Sequence, residues 1–93
     1  MNKIQIKKYV EVNNVEELFS NSFKSILQNN TCEELDIKNK NISLDFNNVE
    51  YVFRNLTLRS CKSKIYDTNN AIGYYSVVLN EFGEIDDDFF VIL

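Results

Sequence analysis

Residues 72–93 read IGYYSVVLNEFGEIDDDFFVIL and are the most informative stretch of the chain. The apolar run Tyr74–Leu79 and the run Glu84–Ile92 are each long enough for a strand, and the polar segment between them contains Gly83, a turn residue. This pattern predicts a β-hairpin. The acidic segment Asp86–Asp88 falls inside its second strand, although Asp is disfavoured in strands and like charges repel. An acidic cluster beside a sheet therefore indicates a surface presented to a positively charged partner.

One amphipathic helix is predicted in the first third of the chain. Apolar residues follow helical spacing over residues 15–27 and form one stripe. Asn14 is the expected N-cap, and Glu17 three residues later completes a capping-box pattern. The pair Asn29-Asn30 ends the helix. We expect the stripe to supply the core with Leu18, Phe19, Phe23 and Ile26.

The remaining segments predict strands. Residues 3–12 alternate apolar and polar side chains as a first strand. Residues 33–38 and 41–46 predict a hairpin joined by a short polar turn. Residues 49–61 predict a longer strand, whose apolar side chains change face near Arg54-Asn55 as they would at a β-bulge.

The order of these elements predicts an α+β fold. We expect a single domain over residues 1–93, with one N-terminal helix packed on a mainly antiparallel sheet of about five to six strands in the order β-α-β-β-β-β-β. A chain of this length can build one modest hydrophobic core. The sheet face opposite the helix carries tyrosine and charged side chains, and we expect it to be open to a partner.

Composition and cysteine content favour a cytoplasmic protein. No apolar run approaches the roughly 18–20 residues of a membrane span, and residues 1–8 lack the apolar core of a signal peptide. Cys32 and Cys61 belong to no CxxC motif, and the chain contains no histidine. We therefore expect two free thiols in place of a disulfide or a zinc site.

The residue types present do not indicate an enzyme. Without histidine, no Ser-His-Asp or Cys-His arrangement can form, and Gly73 and Gly83 are too few for a phosphate-binding loop. We expect no catalytic residue and no cofactor. Two chemical interpretations stay open: Asp86 and Asp88 point to one face and could hold a divalent cation, and basic neighbours could lower the pKa of Cys61 unless that thiol is structural.

Charge is segregated in the second half of the chain. Residues 54–64 contain four basic residues and no acid, whereas residues 81–88 contain five acidic residues and no base. The acidic segment suits a basic protein partner, whose association it would steer. The alternative is that the acidic and basic strands pair across the sheet and neutralise each other. The net charge of −4 argues against nucleic-acid binding.

The C-terminal hairpin also resembles hairpins at the C-termini of small bacterial immunity proteins. The resemblance lies in residues 72–75, 78–84 and 86–92 and covers about a quarter of the chain. Such proteins neutralise polymorphic toxins, including those of contact-dependent growth inhibition systems. The resemblance implies a cytosolic, non-catalytic inhibitor that binds one cognate toxin domain, often a nuclease, and blocks its active site or substrate surface.

The expected partner is therefore a protein toxin domain with a basic surface. One alternative is a phage-encoded inhibitor of a host defence nuclease, and another is a small carboxylate-based metal-binding module or enzyme. We expect neither a nucleic-acid partner nor membrane association. The expected partner-binding residues are Glu81, Glu84, Asp86, Asp87, Asp88 and Tyr74, joined by Glu33, Glu34 and Asp36 if their strand lies nearby.

Overall fold

Helices precede strands along this chain. A computed structural model describes residues 1–93 and contains three helices followed by five strands. The helices are α1 (Lys3–Val12), α2 (Val15–Asn29) and α3 (Cys32–Leu35), and the strands are β1 (Ile42–Leu44), β2 (Glu50–Arg54), β3 (Thr57–Asp67), β4 (Asn70–Leu79) and β5 (Ile85–Ile92).

The N-terminal segment is a helix, so the prediction of a strand over residues 3–12 is wrong. A capping box begins α1, because the backbone N–H of Gln5 donates to the Asn2 side chain and the backbone N–H of Asn2 donates to the Gln5 side chain. Ile4 and Val12, which belong to the apparent alternation, are exposed. The residues that pack into the core have helical spacing and are Ile6, Tyr9 and Val10.

The predicted amphipathic helix is confirmed as α2, whose buried residues are Val15, Phe19 and Phe23. The predicted capping box at its start is wrong, since the Asn14 side chain makes no capping hydrogen bond. Asn14 instead has a left-handed backbone with φ 51°, which asparagine tolerates better than most residues. The chain thereby turns between α1 and α2 within two residues.

A short helix, α3, replaces the strand predicted over residues 33–38. It begins with a capping box in which the Glu34 N–H donates to Thr31 Oγ1 (3.1 Å) and the Thr31 N–H donates to Glu34 Oε1 (2.9 Å). Hydrogen bonding of the Glu34 carboxyl to the Thr31 backbone N–H, and next to the Thr31 side chain, lowers the pKa of that carboxyl. The hairpin predicted between this segment and residues 41–46 is therefore wrong, because only the second segment forms a strand, β1.

The five strands form one antiparallel sheet with the order β1-β3-β4-β5. β1 and β2 pair with the same edge of β3, each along a different part of that strand. The C-terminal hairpin is confirmed as β4–β5, in which Tyr75 lies opposite Phe90 and Val77 opposite Asp88. The α+β class is confirmed, although the element order is three helices and then five strands.

A tight turn divides the longest predicted strand into β2 and β3. Arg54 pairs with Thr57, which leaves Asn55 and Leu56 as a two-residue loop. Both loop residues have positive φ, 52° and 63°, which is the signature of a type I′ turn. This turn causes the change of face near Arg54 that suggested a β-bulge, and a separate register irregularity lies at Val52–Phe53.

One hydrophobic core lies between the helices and the sheet. Tyr75, which is 0% exposed, stacks on Phe19 at a centroid distance of 5.5 Å and contacts Phe23 at 5.3 Å. Phe23 also stacks on Phe90 of β5 at 6.1 Å. Aromatic pairs of this kind add about 0.5–1.5 kcal/mol to the stabilisation from burial. The buried apolar residues are Val10, Val15, Phe19, Phe23, Ile42, Leu44, Leu58, Cys61, Ile65, Tyr75, Val77 and Leu79.

Candidate functional site

The sheet has one face against the helices and one face that no helix covers. On β4 the helix-facing residues are buried, whereas Val78 on the other face is exposed. Its cross-strand neighbours are Ser60 on β3 and Asp87 on β5. Phe89, two residues further along β5, is exposed on the same face. The uncovered face therefore carries exposed apolar side chains in addition to the tyrosine and charged side chains that the sequence predicted.

The acidic residues of the C-terminal hairpin are mostly exposed. Glu81 and Glu84 lie in the turn between β4 and β5, and Asp86 and Asp87 lie at the start of β5. The pairing of β4 and β5 shifts by one residue between Val78 and Leu79, so Asp86 has no directly opposite partner. Four carboxylates thus gather around one end of the hairpin and face solvent.

Asp88 has a different environment from the other predicted acidic residues. It lies opposite Val77 on the helix-facing side of the sheet, where Tyr75 Oη donates a hydrogen bond of 2.9 Å to its Oδ2 atom. Ser22 Oγ of α2 lies 2.5 Å from Tyr75 Oη. Because the Tyr75 hydroxyl donates its one hydrogen bond to the Asp88 carboxylate, Ser22 is the donor in the bond between Ser22 and Tyr75. Burial is the main reason that the pKa of Tyr75 is raised. The Asp88 carboxylate therefore has its hydrogen-bond partner within the protein.

Asn80 organises the acidic turn, and the sequence pattern did not identify it. Its Oδ1 atom accepts hydrogen bonds from the backbone N–H groups of Phe82 (2.9 Å) and Glu84 (3.0 Å), and its Nδ2 donates to Asp86 Oδ1 (3.2 Å). Gly83 has the positive φ of 79° that the turn needs. One side chain thus fixes both the backbone of the turn and one of its carboxylates. Asn directly after an apolar strand was the available signal.

Tyr74, the predicted aromatic contact, lies half-buried on the uncovered face. The Nζ atom of Lys62 is 4.2 Å from the centroid of its ring, which is a cation–π contact. Both residues line a groove of about 890 Å³, together with Asp45, Lys64 and Tyr66. Tyr74 is therefore separated along β4 from the acidic turn and borders a mixed-charge groove.

The basic and acidic segments do not pair with each other in the sheet. The basic residues belong largely to β3 and the acidic ones to the β4–β5 hairpin, and β4 lies between β3 and β5. The interpretation that acidic and basic strands neutralise each other across a shared ladder is therefore wrong. Glu33, Glu34 and Asp36 belong to α3 and its C-cap and not to a strand beside the hairpin.

The two cysteines are free, as predicted. Burial raises the pKa of the Cys61 thiol to about 12. Of the two interpretations of this thiol, the one in which basic neighbours lower its pKa is wrong, because Cys61 packs in the core while Lys62 is exposed on the other face. The thiol is therefore a small apolar core group at neutral pH.

The three consecutive aspartates do not form a ligand cluster. Of the candidate pair Asp86 and Asp88, Asp86 accepts a hydrogen bond from Asn80 Nδ2 at the turn, and Asp88 accepts one from Tyr75 Oη on the helix-facing side. Asp87 lies opposite Val78 on the uncovered face. No group of three or more histidine, cysteine or acidic side chains in residues 1–93 is arranged to hold a metal ion.

No protein-family model, no curated protein and no solved structure matches this chain. None of its helices is both long enough and apolar enough to cross a membrane. Fold and surface together define a small α+β domain with an uncovered antiparallel sheet face and a rigid, exposed acidic hairpin end.

Proposed function

We propose that the chain is a non-catalytic inhibitor of the immunity-protein type, which binds one cognate toxin domain through its acidic hairpin end. The main support for this proposal is that four carboxylates around one turn are exposed, those of Glu81, Glu84, Asp86 and Asp87. Carboxylates arranged in this way attract a basic surface and speed association with it. The resemblance of the same hairpin to immunity proteins gives the proposal its biological context.

Inhibition proceeds by occlusion of the toxin. The acidic turn is held in shape by the hydrogen bonds of Asn80 before any partner arrives, so little conformational entropy is lost on binding. A nuclease or other enzyme with an anionic substrate needs a positive cleft, and carboxylates at the turn compete for that cleft. The expected complex therefore leaves the toxin folded but closed to its substrate.

A phage-encoded inhibitor of a host defence nuclease would use the same contact chemistry. Only the identity of the partner differs between the two functions. The carboxylate-based metal site at Asp86 and Asp88 is not favoured, since Asp88 accepts a hydrogen bond from Tyr75 Oη and Asp86 accepts one from Asn80 Nδ2.

The decisive experiment begins with capture of the partner by the tagged chain from a lysate of the cell that encodes it. The captured protein is then expressed alone, and growth is compared with and without this chain. A toxic partner and growth restored by co-expression support the proposal. A partner that is harmless alone, or toxicity that persists on co-expression, contradicts it. A captured defence nuclease assigns the phage-inhibitor function.

A further inference from the structure

Leu56 is an exposed apolar residue in a backbone conformation that disfavours it. It occupies the second position of the type I′ turn between β2 and β3 with φ 63°, and its side chain is 73% exposed. Glycine is the preferred residue there, because a side chain crowds the backbone at positive φ. A leucine in this place stabilises neither the turn nor the core. Strain of this kind at an exposed position is a mark of function.

Phe82 is a second exposed apolar residue, at the tip of the other hairpin. It lies in the β4–β5 turn, its side chain is 78% exposed, and its backbone N–H donates to Asn80 Oδ1. A large aromatic side chain gains nothing from the solvent around a turn. The hydrogen bond instead holds the residue rigidly at the tip of the hairpin.

The two tips lie side by side at one end of the sheet. Ser60 of β3 pairs with Val78 of β4. Leu56 comes four residues before Ser60, and Phe82 comes four residues after Val78. Because β3 and β4 are antiparallel, both residues extend past the same end of the sheet. Two strand spacings separate the hairpin axes, which places the tips about 10 Å apart.

We propose that Leu56 and Phe82 are paired apolar anchors for a protein partner whose apolar cleft is bordered by basic residues. The charge around the tips selects this partner: Glu81 and Glu84 flank Phe82 and are exposed, whereas Arg54 is the basic residue beside Leu56. Buried apolar anchors inside a charged rim are the usual arrangement at the centre of a protein interface. The inference rests on the proposed function, since it places the anchors in the same interface as the acidic turn.

The test compares four immobilised baits in the same lysate: the natural chain, Leu56→Gly, Phe82→Ser and Leu93→Ser. Leu56→Gly removes the anchor and suits the turn conformation, so it keeps the fold. Leu93→Ser is the matched control, because Leu93 is 93% exposed and its N–H bonds to Ile72 O at the far end of the hairpin. That end is about 25 Å from the tips along β4.

The captured protein is quantified by mass spectrometry, purified and titrated calorimetrically against each variant. We expect Leu56→Gly and Phe82→Ser each to weaken its binding at least tenfold, and Leu93→Ser to bind like the natural chain. Thermal melts of all four chains confirm that the folds persist. A fifth bait, Glu81→Lys with Glu84→Lys, reports on the acidic turn separately.

Each of the remaining outcomes contradicts a different part of the proposal. If both anchor variants bind like the natural chain while the charge-reversed bait fails, the anchors are wrong and the proposed function stands. Loss in one anchor variant alone overturns their pairing. A natural-chain bait that captures nothing overturns both proposals. A dimer of the isolated chain in sedimentation that Leu56→Gly abolishes makes a second copy the occupant and overturns the inference.

Discussion

Tyr75 Oη on β4 donates a hydrogen bond of 2.9 Å to Asp88 Oδ2 on the acidic strand β5. Tyr75 is fully buried and receives a further hydrogen bond from Ser22 of α2. Three elements that are distant in the sequence therefore meet at one hydroxyl group. The network explains why an aspartate can occupy the helix-facing side of a strand.

Replacement of Tyr75 by Phe should lower the free energy of unfolding by about 1–3 kcal/mol, because Asp88 loses a donor in a partly buried position. Urea denaturation followed by circular dichroism measures this change. Tyr74→Phe is the matched control on the uncovered face, with an expected change below about 0.5 kcal/mol. In a double-mutant cycle, Asp88→Ala should couple to Tyr75→Phe by about 0.5–3 kcal/mol, and additive effects would contradict the network.

Stability should fall at alkaline pH, starting at the pKa of an ordinary thiol. Burial raises the pKa of Cys61 from 9.0 to about 12 and that of Tyr51 from 10.0 to about 12. In both groups the folded state retains the proton that the unfolded state releases. The stabilisation is therefore complete below pH 9 and is lost as the pH rises towards 12.

The slope of the free energy of unfolding against pH identifies which group ionises. Between pH 9 and 10 the loss should come from Cys61, at up to about 1.4 kcal/mol per pH unit. Urea midpoints in reductant from pH 7 to 11 measure it. In Cys61→Ala the curve should stay flat up to the ordinary tyrosine pKa of 10.0, even though the cavity lowers stability at every pH. An unchanged slope in this variant would assign the effect to another group.

Leu56→Gly should raise the free energy of unfolding by about 0.5–1 kcal/mol. The left-handed conformation costs leucine about 1–2 kcal/mol, and the greater flexibility of unfolded glycine offsets part of the gain. Asn55→Gly should change stability less, because asparagine tolerates positive φ. Chemical denaturation of both variants tests the difference, and destabilisation by Leu56→Gly would show that the leucine packs in the fold.

The two glycines should respond differently to alanine. A Cβ atom on Gly73 would collide with the backbone carbonyl of Val91 in β5, so Gly73→Ala should cost about 3 kcal/mol or more or prevent folding. A Cβ atom on Gly83 meets no neighbour, but its φ of 79° disfavours alanine, and the expected cost is about 1 kcal/mol. Thermal melts compare them, and equal losses would contradict the close approach of β5 to Gly73.

Reversal of Glu81 and Glu84 to Lys should slow association with the captured partner about tenfold or more at low salt, with little effect on dissociation. Surface plasmon resonance at several salt concentrations measures both rates. Glu11→Lys with Glu17→Lys makes the same change in net charge on exposed positions of α1 and α2. If the control pair slows association equally, net charge and not the acidic turn steers the partner.

Local sequence patterns predicted a helix or strand correctly where the apolar spacing fits only one of the two structures. In α2 the apolar spacing is purely helical, and in β4–β5 two apolar runs flank a polar turn, so both predictions are confirmed. The segment of α1 carried two signals. Strand alternation is satisfied by Ile4, Ile6, Val10 and Val12, whereas helical spacing is satisfied by Ile6, Tyr9 and Val10, and packing against the core selected the helix.

Periodicity and composition within short segments were enough to predict the α+β class, the central helix, the C-terminal hairpin and the acidic character of its end. Which carboxylates face solvent depends instead on how distant segments pack against each other. Alternation along β5 puts Asp87 and Asp88 on opposite faces, but the helix layer decides which face is buried. The alignment of the Leu56 and Phe82 tips likewise depends on the register between β3 and β4, a pairing of distant segments that no local pattern encodes.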